Sequence, residues 1–262
     1  MDTVTSKDGT TIAFERTGEG PTIVIVGGAL NDRASALPLA AELSRRFSVI
    51  AYDRRGRGDS TETQPYAVER EVEDLAALLD ATHGPAFAFG HSSGAALILE
   101  SAAHGLPITK QALYEPPYIV DDSRPALPKD YVAHLDELVA TGRRGDAVEY
   151  FMTTAIGMPA EMVAPMREAP MWKSMEDLAH TIAYDGRIMG EHMSGQPLPG
   201  GWASITVPSL VMDGGASPAW QRNAALALAD VLPNAQYRTS EGQTHAVAPE
   251  VLSPALVEFF AG

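Results

Sequence analysis

Gly90-His91-Ser92-Ser93-Gly94 stands between a short apolar run, Pro85–Phe89, and a stretch of helical spacing running from Ala95 to about His104. The pattern GxSxG is common by chance, so its flanks decide its meaning. A serine on a sharp strand-to-helix turn has its hydroxyl pushed out above a sheet. Small residues two before and two after it let the backbone turn without clashes. Ser92 is therefore read as a nucleophile presented at a strand end rather than as part of a plain Gly/Ser loop.

Outward from this stretch, strands and helices alternate. Thr11–Arg16 alternates as a strand, Thr22–Val26 is a β-branched run of the kind that fills a buried parallel strand, and Phe47–Tyr52 is another. Ala34–Arg45 and Val68–Leu79 have helical spacing, the second with its acidic residues assigned to the outer face. After the serine turn come a strand at Ile108–Tyr114 and, following a long interruption, a strand at Val207–Met212, a helix at Trp220–Leu232, a strand at Ala235–Thr239 and a helix at Leu252–Phe260. Such alternation predicts an α/β fold, a mostly parallel sheet covered on both faces.

The interruption, residues 116–203, has another composition. It holds eight of the ten methionines and two of the three tryptophans, and its periodic stretches (Asp130–Ala140, Gly145–Thr154, Trp172–Asp185) are helical throughout. It reads as a helical cap inserted into a core of residues 1–115 and 204–262. Methionine is unbranched and polarizable, so these side chains either line an adaptable apolar pocket or fill the cap's own core. Gly28, Leu30, Met152, Met158, Trp172, Met189 and Met193 are the candidate substrate contacts.

Composition narrows the classes. The 262 residues include no cysteine, 45% are hydrophobic, and the formal net charge is −15. That charge argues against nucleic acid, and the Arg54, Arg55, Arg57 cluster is too short to reverse it. The polar start, Met1–Gly9, has no signal-peptide pattern, and no apolar stretch is long enough to span a bilayer. A cytoplasmic protein, monomer or homodimer, is expected. No pair of histidines stands at ligand spacing, so neither metal nor cofactor is expected.

A serine hydroxyl needs a base within hydrogen-bond reach. Seven histidines are available, among them His245 in the loop Gly242–His245 after the last strand. His91 reads as a packing residue, and His180 and His192, in the cap, could touch substrate. For the acid that orients the base, Glu115 ends the strand after the serine helix and is stiffened by Pro116 and Pro117. Neighbouring parallel strands lie about 4.8 Å apart, close enough for a glutamate to reach across. Asp213 is the second candidate.

Taken together, the turn at Ser92, the strand order and the late histidine resemble the α/β-hydrolase superfamily over nearly the whole chain outside the cap. The resemblance implies an eight-stranded sheet and places the base at His245. It makes Asp53–Ser60 a DxRGxGxS-like segment with structural charges. It also implies an oxyanion hole from the backbone amides of Ala29 and Ser93. One departure stands out: where most relatives carry the acid, three residues after the glycine that follows the seventh strand, this chain has Ser217. Zearalenone-type lactonases resemble it most in this respect, with a Ser-Ser-Gly-Ala turn (here Ser92–Ala95), a strand-end glutamate followed by proline, and a Gly-Ala-x-Pro loop.

The expected function is a serine hydrolase cleaving a carboxylic ester or lactone of a small apolar substrate through an acyl-enzyme on Ser92. Carbon–carbon bond hydrolysis on the same triad and a non-catalytic receptor on this fold are the alternatives. Epoxide hydrolysis and dehalogenation need a carboxylate nucleophile, which Ser92 does not supply.

Overall fold

In the computed structural model, which describes residues 1–82, 84 and 86–262, the chain forms one eight-stranded sheet ordered β1-β2-β4-β3-β5-β6-β7-β8. The strands are β1 (Asp2–Thr5), β2 (Thr11–Thr17), β3 (Thr22–Val26), β4 (Ser48–Tyr52), β5 (Ala86–His91), β6 (Ile108–Tyr114), β7 (Ser209–Gly214) and β8 (Ala235–Ser240). β1 pairs antiparallel with β2 and β2 with β4, and the remaining pairs are parallel. The α/β sheet expected from the alternation is present, with the exposed edge strand β1 added from the polar start. His83 and Pro85, the latter expected to open the serine strand, lie outside the described residues.

The period of two along each strand explains the layers. Ile23, Ile25, Val49, Phe89, Ala112 and Met212 pack with residues of α1 (Leu37–Leu43) and α10 (Pro249–Ala261). Their neighbours Val24, Val26, Ile50, Ala88, Leu113 and Val211 pack with α2 (Val68–Asp80), α3 (Ser93–Ala103) and α9 (Ala219–Val231). Because both faces are covered, β3 and β4 are buried along their whole length.

Two helices differ from the pattern. The stretch expected as one helix from Ala34 starts as a 3-10 turn, Arg33–Ala36, and becomes α1 where Pro38 occupies the first turn, a position that needs no amide donor. On α2, Glu71 and Asp74 are buried rather than outward-facing. Their counter-charges come from the loop after β4: Arg54 grips Glu71 bidentately at 2.7 and 2.8 Å, and Arg55 grips Asp74 at 2.8 and 2.7 Å. Paired and hydrogen-bonded, these carboxylates tolerate burial.

Between β6 and β7 lie α4 (Tyr131–Ala140), α5 (Arg144–Tyr150), α6 (Ala160–Val163), α7 (Met171–Leu178) and α8 (Ile182–Met189), with no strand among the described residues. The helix expected to run to Thr154 passes into a π-helical turn, Phe151–Ile156, and the one expected over Trp172–Asp185 breaks at Ala179–Thr181. Leu135, Leu138, Val148, Val163, Trp172 and Ile182 form a separate small core here. Among the described residues no helix is long and apolar enough to cross a membrane.

Candidate active site

The carboxyl ends of β3, β5, β6, β7 and β8 are neighbours, and each delivers a residue or loop to one place. Ser92 follows β5 with φ 58° and ψ −127°. This left-handed conformation costs a serine energy and is held by the surrounding turn. Among the described residues the three non-glycine ones with positive φ, Leu30, Ser92 and Glu115, all lie at these strand ends. The glycines explain themselves: a Cβ on Gly90 would sit 2.5 Å from Ala95 Cα, and one on Gly94 would sit 2.2 Å from Val26 O. Gly28 is equally constrained, since its Cβ would lie 2.9 Å from Ser92 Cβ. It backs the serine and is absent from the cavity wall, contrary to its expected contact with substrate.

Hydrogen bonds staple these ends together. Ser92 N–H donates to Tyr114 O at 2.9 Å, and Glu115 N–H donates to Met212 O at 2.9 Å. The Tyr114 hydroxyl reaches over to Thr244 O at 2.8 Å and fixes the loop that carries His245.

Glu115, fully buried, accepts from His245 Nδ1 at 2.7 Å through Oε2 and from the Gly214 amide at 2.7 Å through Oε1. Burial opposes its charge, but the hydrogen bonds from His245 and Gly214 outweigh that and hold its pKa below the usual carboxylate range. Asp213, the second candidate, instead pairs with Arg222 at 3.1 Å. Of the two carboxylates expected to compete for His245, only Glu115 is bonded to it.

Gln221, on the first turn of α9, also meets His245 Nδ1, at 2.9 Å. Since Nδ1–H donates to Glu115, the compatible orientation of this amide turns its oxygen to the ring. His91 is more than a packing residue. Its Nε2–H donates to His245 O at 2.8 Å, its ring lies 4.5 Å from the His245 ring, and it lines the cavity. Burial, reinforced by the nearby His245, pushes its pKa down to about 4, so it is neutral near pH 7.

Ser92 and His245 open onto one cavity of about 860 Å³. With Nδ1 turned to Glu115, the other ring nitrogen of His245 is left for the hydroxyl of Ser92, which lines the same cavity; such bonds often tighten only when substrate arrives. Ala29 and Ser93 also face the cavity, and among the described residues neither amide takes part in the turn, loop or cap hydrogen bonds. They are suited to receive a developing negative charge.

The cavity wall is mostly apolar. Leu30, Met152, Met189 and Met193 line it as expected. Met158 and Trp172 do not. Trp172 is buried in the small helical core with its Nε1–H donating to Glu176 at 3.1 Å, and Met158 packs against the same core. His180 and His192 are likewise outside the wall: His180 faces Glu62, and His192 packs edge-on to Trp202. Tyr131, Phe151, Ile182 and Trp220 complete the apolar surface, with Asp185 buried in it and Lys129 and Glu191 exposed at its edge. Helical periodicity alone could not separate the face toward the cavity from the face toward the helical core.

The chain belongs to the alpha/beta hydrolase family, whose model matches residues 23–255. It is 60% identical to an alpha/beta hydrolase from Sphaerobacter thermophilus DSM 20745, over 99% of this chain and all of that one, with a TM-score of 0.92. It is 26% identical to the 2-(acetamidomethylene)succinate hydrolase of Mesorhizobium japonicum over 95% of this chain and 91% of that protein. An enol-lactonase from Burkholderia xenovorans LB400 superposes over the full length of both chains with a TM-score of 0.71 at 24% identity. The match to an uncharacterized hydrolase of Bacillus subtilis, YraK, spans only 35% of either protein, at 35% identity. The protein is a hydrolase.

Proposed function

We propose that this hydrolase cleaves a carboxylic ester or lactone of a small apolar substrate by two-step acyl transfer on Ser92. The observation that carries the reading is the 2.7 Å contact between buried Glu115 and His245 Nδ1, at the wall of an apolar cavity that Ser92 also lines. With Nδ1 protonated, the other ring nitrogen is free to take the Ser92 proton as Oγ attacks the carbonyl. The oxyanion is received by the amides of Ala29 and Ser93. His245 then protonates the leaving oxygen, and the same nitrogen activates the water that releases the acid. Glu115 offsets the transient imidazolium charge. In a lactone the leaving oxygen stays tethered, so the ring opens without loss of a fragment, which suits a cavity of this size.

The named activities of similar proteins leave the bond itself to experiment. The enol-lactonase favours lactone cleavage, whereas the 2-(acetamidomethylene)succinate hydrolase acts on a different substrate class. The test is hydrolysis of p-nitrophenyl butyrate, dihydrocoumarin, an anilide and a vinylogous diketone in ¹⁸O-water. Label in the carboxylates of the first two, with slower or no turnover of the others, is expected. Cleavage of the diketone alone would replace this reading with carbon–carbon hydrolysis, and no turnover with retained ligand binding would favour a receptor.

A further inference from the structure

The cavity wall contains one buried carboxylate that acyl transfer does not use. Asp185, on α8, is 4% exposed, and its partners all belong to loops and helices of the sheet. Its Oδ1 accepts from Arg54 Nη1 at 2.6 Å and from Ser93 Oγ at 2.7 Å, and its Oδ2 accepts from Arg57 Nη2 at 2.8 Å. Through its other nitrogen Arg57 donates to Gly28 O at 2.6 Å and Asn31 O at 3.2 Å, and Arg54 also donates to Gly27 O at 3.3 Å.

Gly28 O and the Ala29 N–H belong to one planar trans peptide unit, pointing in opposite directions. A hand on the carbonyl therefore aims the amide. Arg57 holds that carbonyl, and Leu30, with φ 57°, shows that the loop beyond it needs restraint. On the other side, the bond from Ser93 Oγ fixes the side chain of the residue whose amide is the second oxyanion donor.

We infer that Asp185 is a positioning residue that sets both oxyanion donors, Ala29 N–H through Arg57 and Ser93 N–H through the Ser93 hydroxyl. Docking of the helical segment on the sheet and assembly of the oxyanion hole are then one event. The inference rests on the acyl-transfer reading. It differs from a plain staple between helices and sheet in what it makes sensitive. Arg54 keeps Glu71 when Asp185 is neutralised, but Arg57 loses its one carboxylate partner among the described residues, and with it the fixed grip on Gly28.

The test compares p-nitrophenyl butyrate with its thionoester in the wild type, in Asp185→Asn and in Ser93→Ala. The second variant leaves the ion pairs untouched and removes only the hydroxyl arm. Sulfur is a poor hydrogen-bond acceptor, so the oxo-to-thiono rate ratio reads the oxyanion hole itself. One well-aimed donor is worth about a hundredfold, so partial misaiming is expected to compress the ratio about tenfold in Asp185→Asn and about threefold in Ser93→Ala, through kcat rather than KM. Variants that lose stability or activity while keeping the wild-type ratio would overturn the inference and leave Asp185 a staple. A wild type that turns over neither ester would instead overturn the acyl-transfer reading, and the inference with it.

Discussion

Replacing Glu115 by glutamine changes one atom and no volume, so it isolates the charge facing His245. The retained oxygen can still accept from the Gly214 amide, which leaves the new NH₂ facing Nδ1 where Oε2 stood. That group donates to Nδ1 and favours the tautomer whose proton sits on Nε2, where it blocks acceptance of the Ser92 proton. The imidazolium that forms on the reaction path also loses its counter-charge. Two unit charges about 4 Å apart at an effective dielectric of about 20 interact by about 4 kcal/mol. That corresponds to roughly a thousandfold in rate, and the tautomer effect carries it toward ten-thousandfold. Glu115→Gln is therefore expected to lower kcat for p-nitrophenyl butyrate by about 10³ to 10⁴ with KM nearly unchanged. Asp213→Asn, which alters a pair with Arg222, is expected to stay within about threefold. Thermal melts by circular dichroism are the control that both variants fold. A Glu115→Gln enzyme keeping more than about a tenth of its turnover, or an Asp213→Asn enzyme losing it, would refute this assignment of the acid.

Three further outcomes are expected. Folded His91 has its pKa lowered to about 4, below the unfolded value of about 6.5, so the unfolded chain binds more protons between these values. Stability is therefore lost as pH falls from about 6.5 toward 4, by about 3 kcal/mol, and His91→Gln should flatten that part of the denaturation profile. Arg54→Met leaves buried Glu71, among the described residues, with only the Tyr66 hydroxyl at 2.9 Å, and should cost about 3–5 kcal/mol in urea unfolding; a change below about 1 kcal/mol would contradict the burial argument. Met193→Trp narrows the cavity, and should lower kcat/KM for a bulky aryl ester at least about tenfold while an acetyl ester changes less than about threefold.

Much of the site was legible because local rules wrote it. Gly90, Ser92 and Gly94 encode a turn whose steric demands are visible in the residue types alone. Glu115 followed by two prolines marks a strand end, and parallel strand spacing gives a carboxylate there a short reach to a loop after β8. The buried charges were illegible because each partner lies far along the chain. Glu71 and Asp74 read as a solvated helix face until Arg54 and Arg55 arrive from the loop after β4. Asp185 and Gln221 have the same character, being single polar residues on helices with no local signal of function. Trp172 and Met158 were misplaced for a related reason. A helical segment with its own small core has two apolar faces, and periodicity says that a face is buried without saying against what.

Everything proposed for this site requires Ser92 to be an activated nucleophile. The most direct measurement is the intact mass of the protein after brief exposure to a fluorophosphonate, beside Ser92→Ala. One adduct is expected, mapped to the peptide containing Ser92, absent from the variant and slowed in Glu115→Gln. A folded wild type that takes no adduct, or takes one elsewhere, would contradict it.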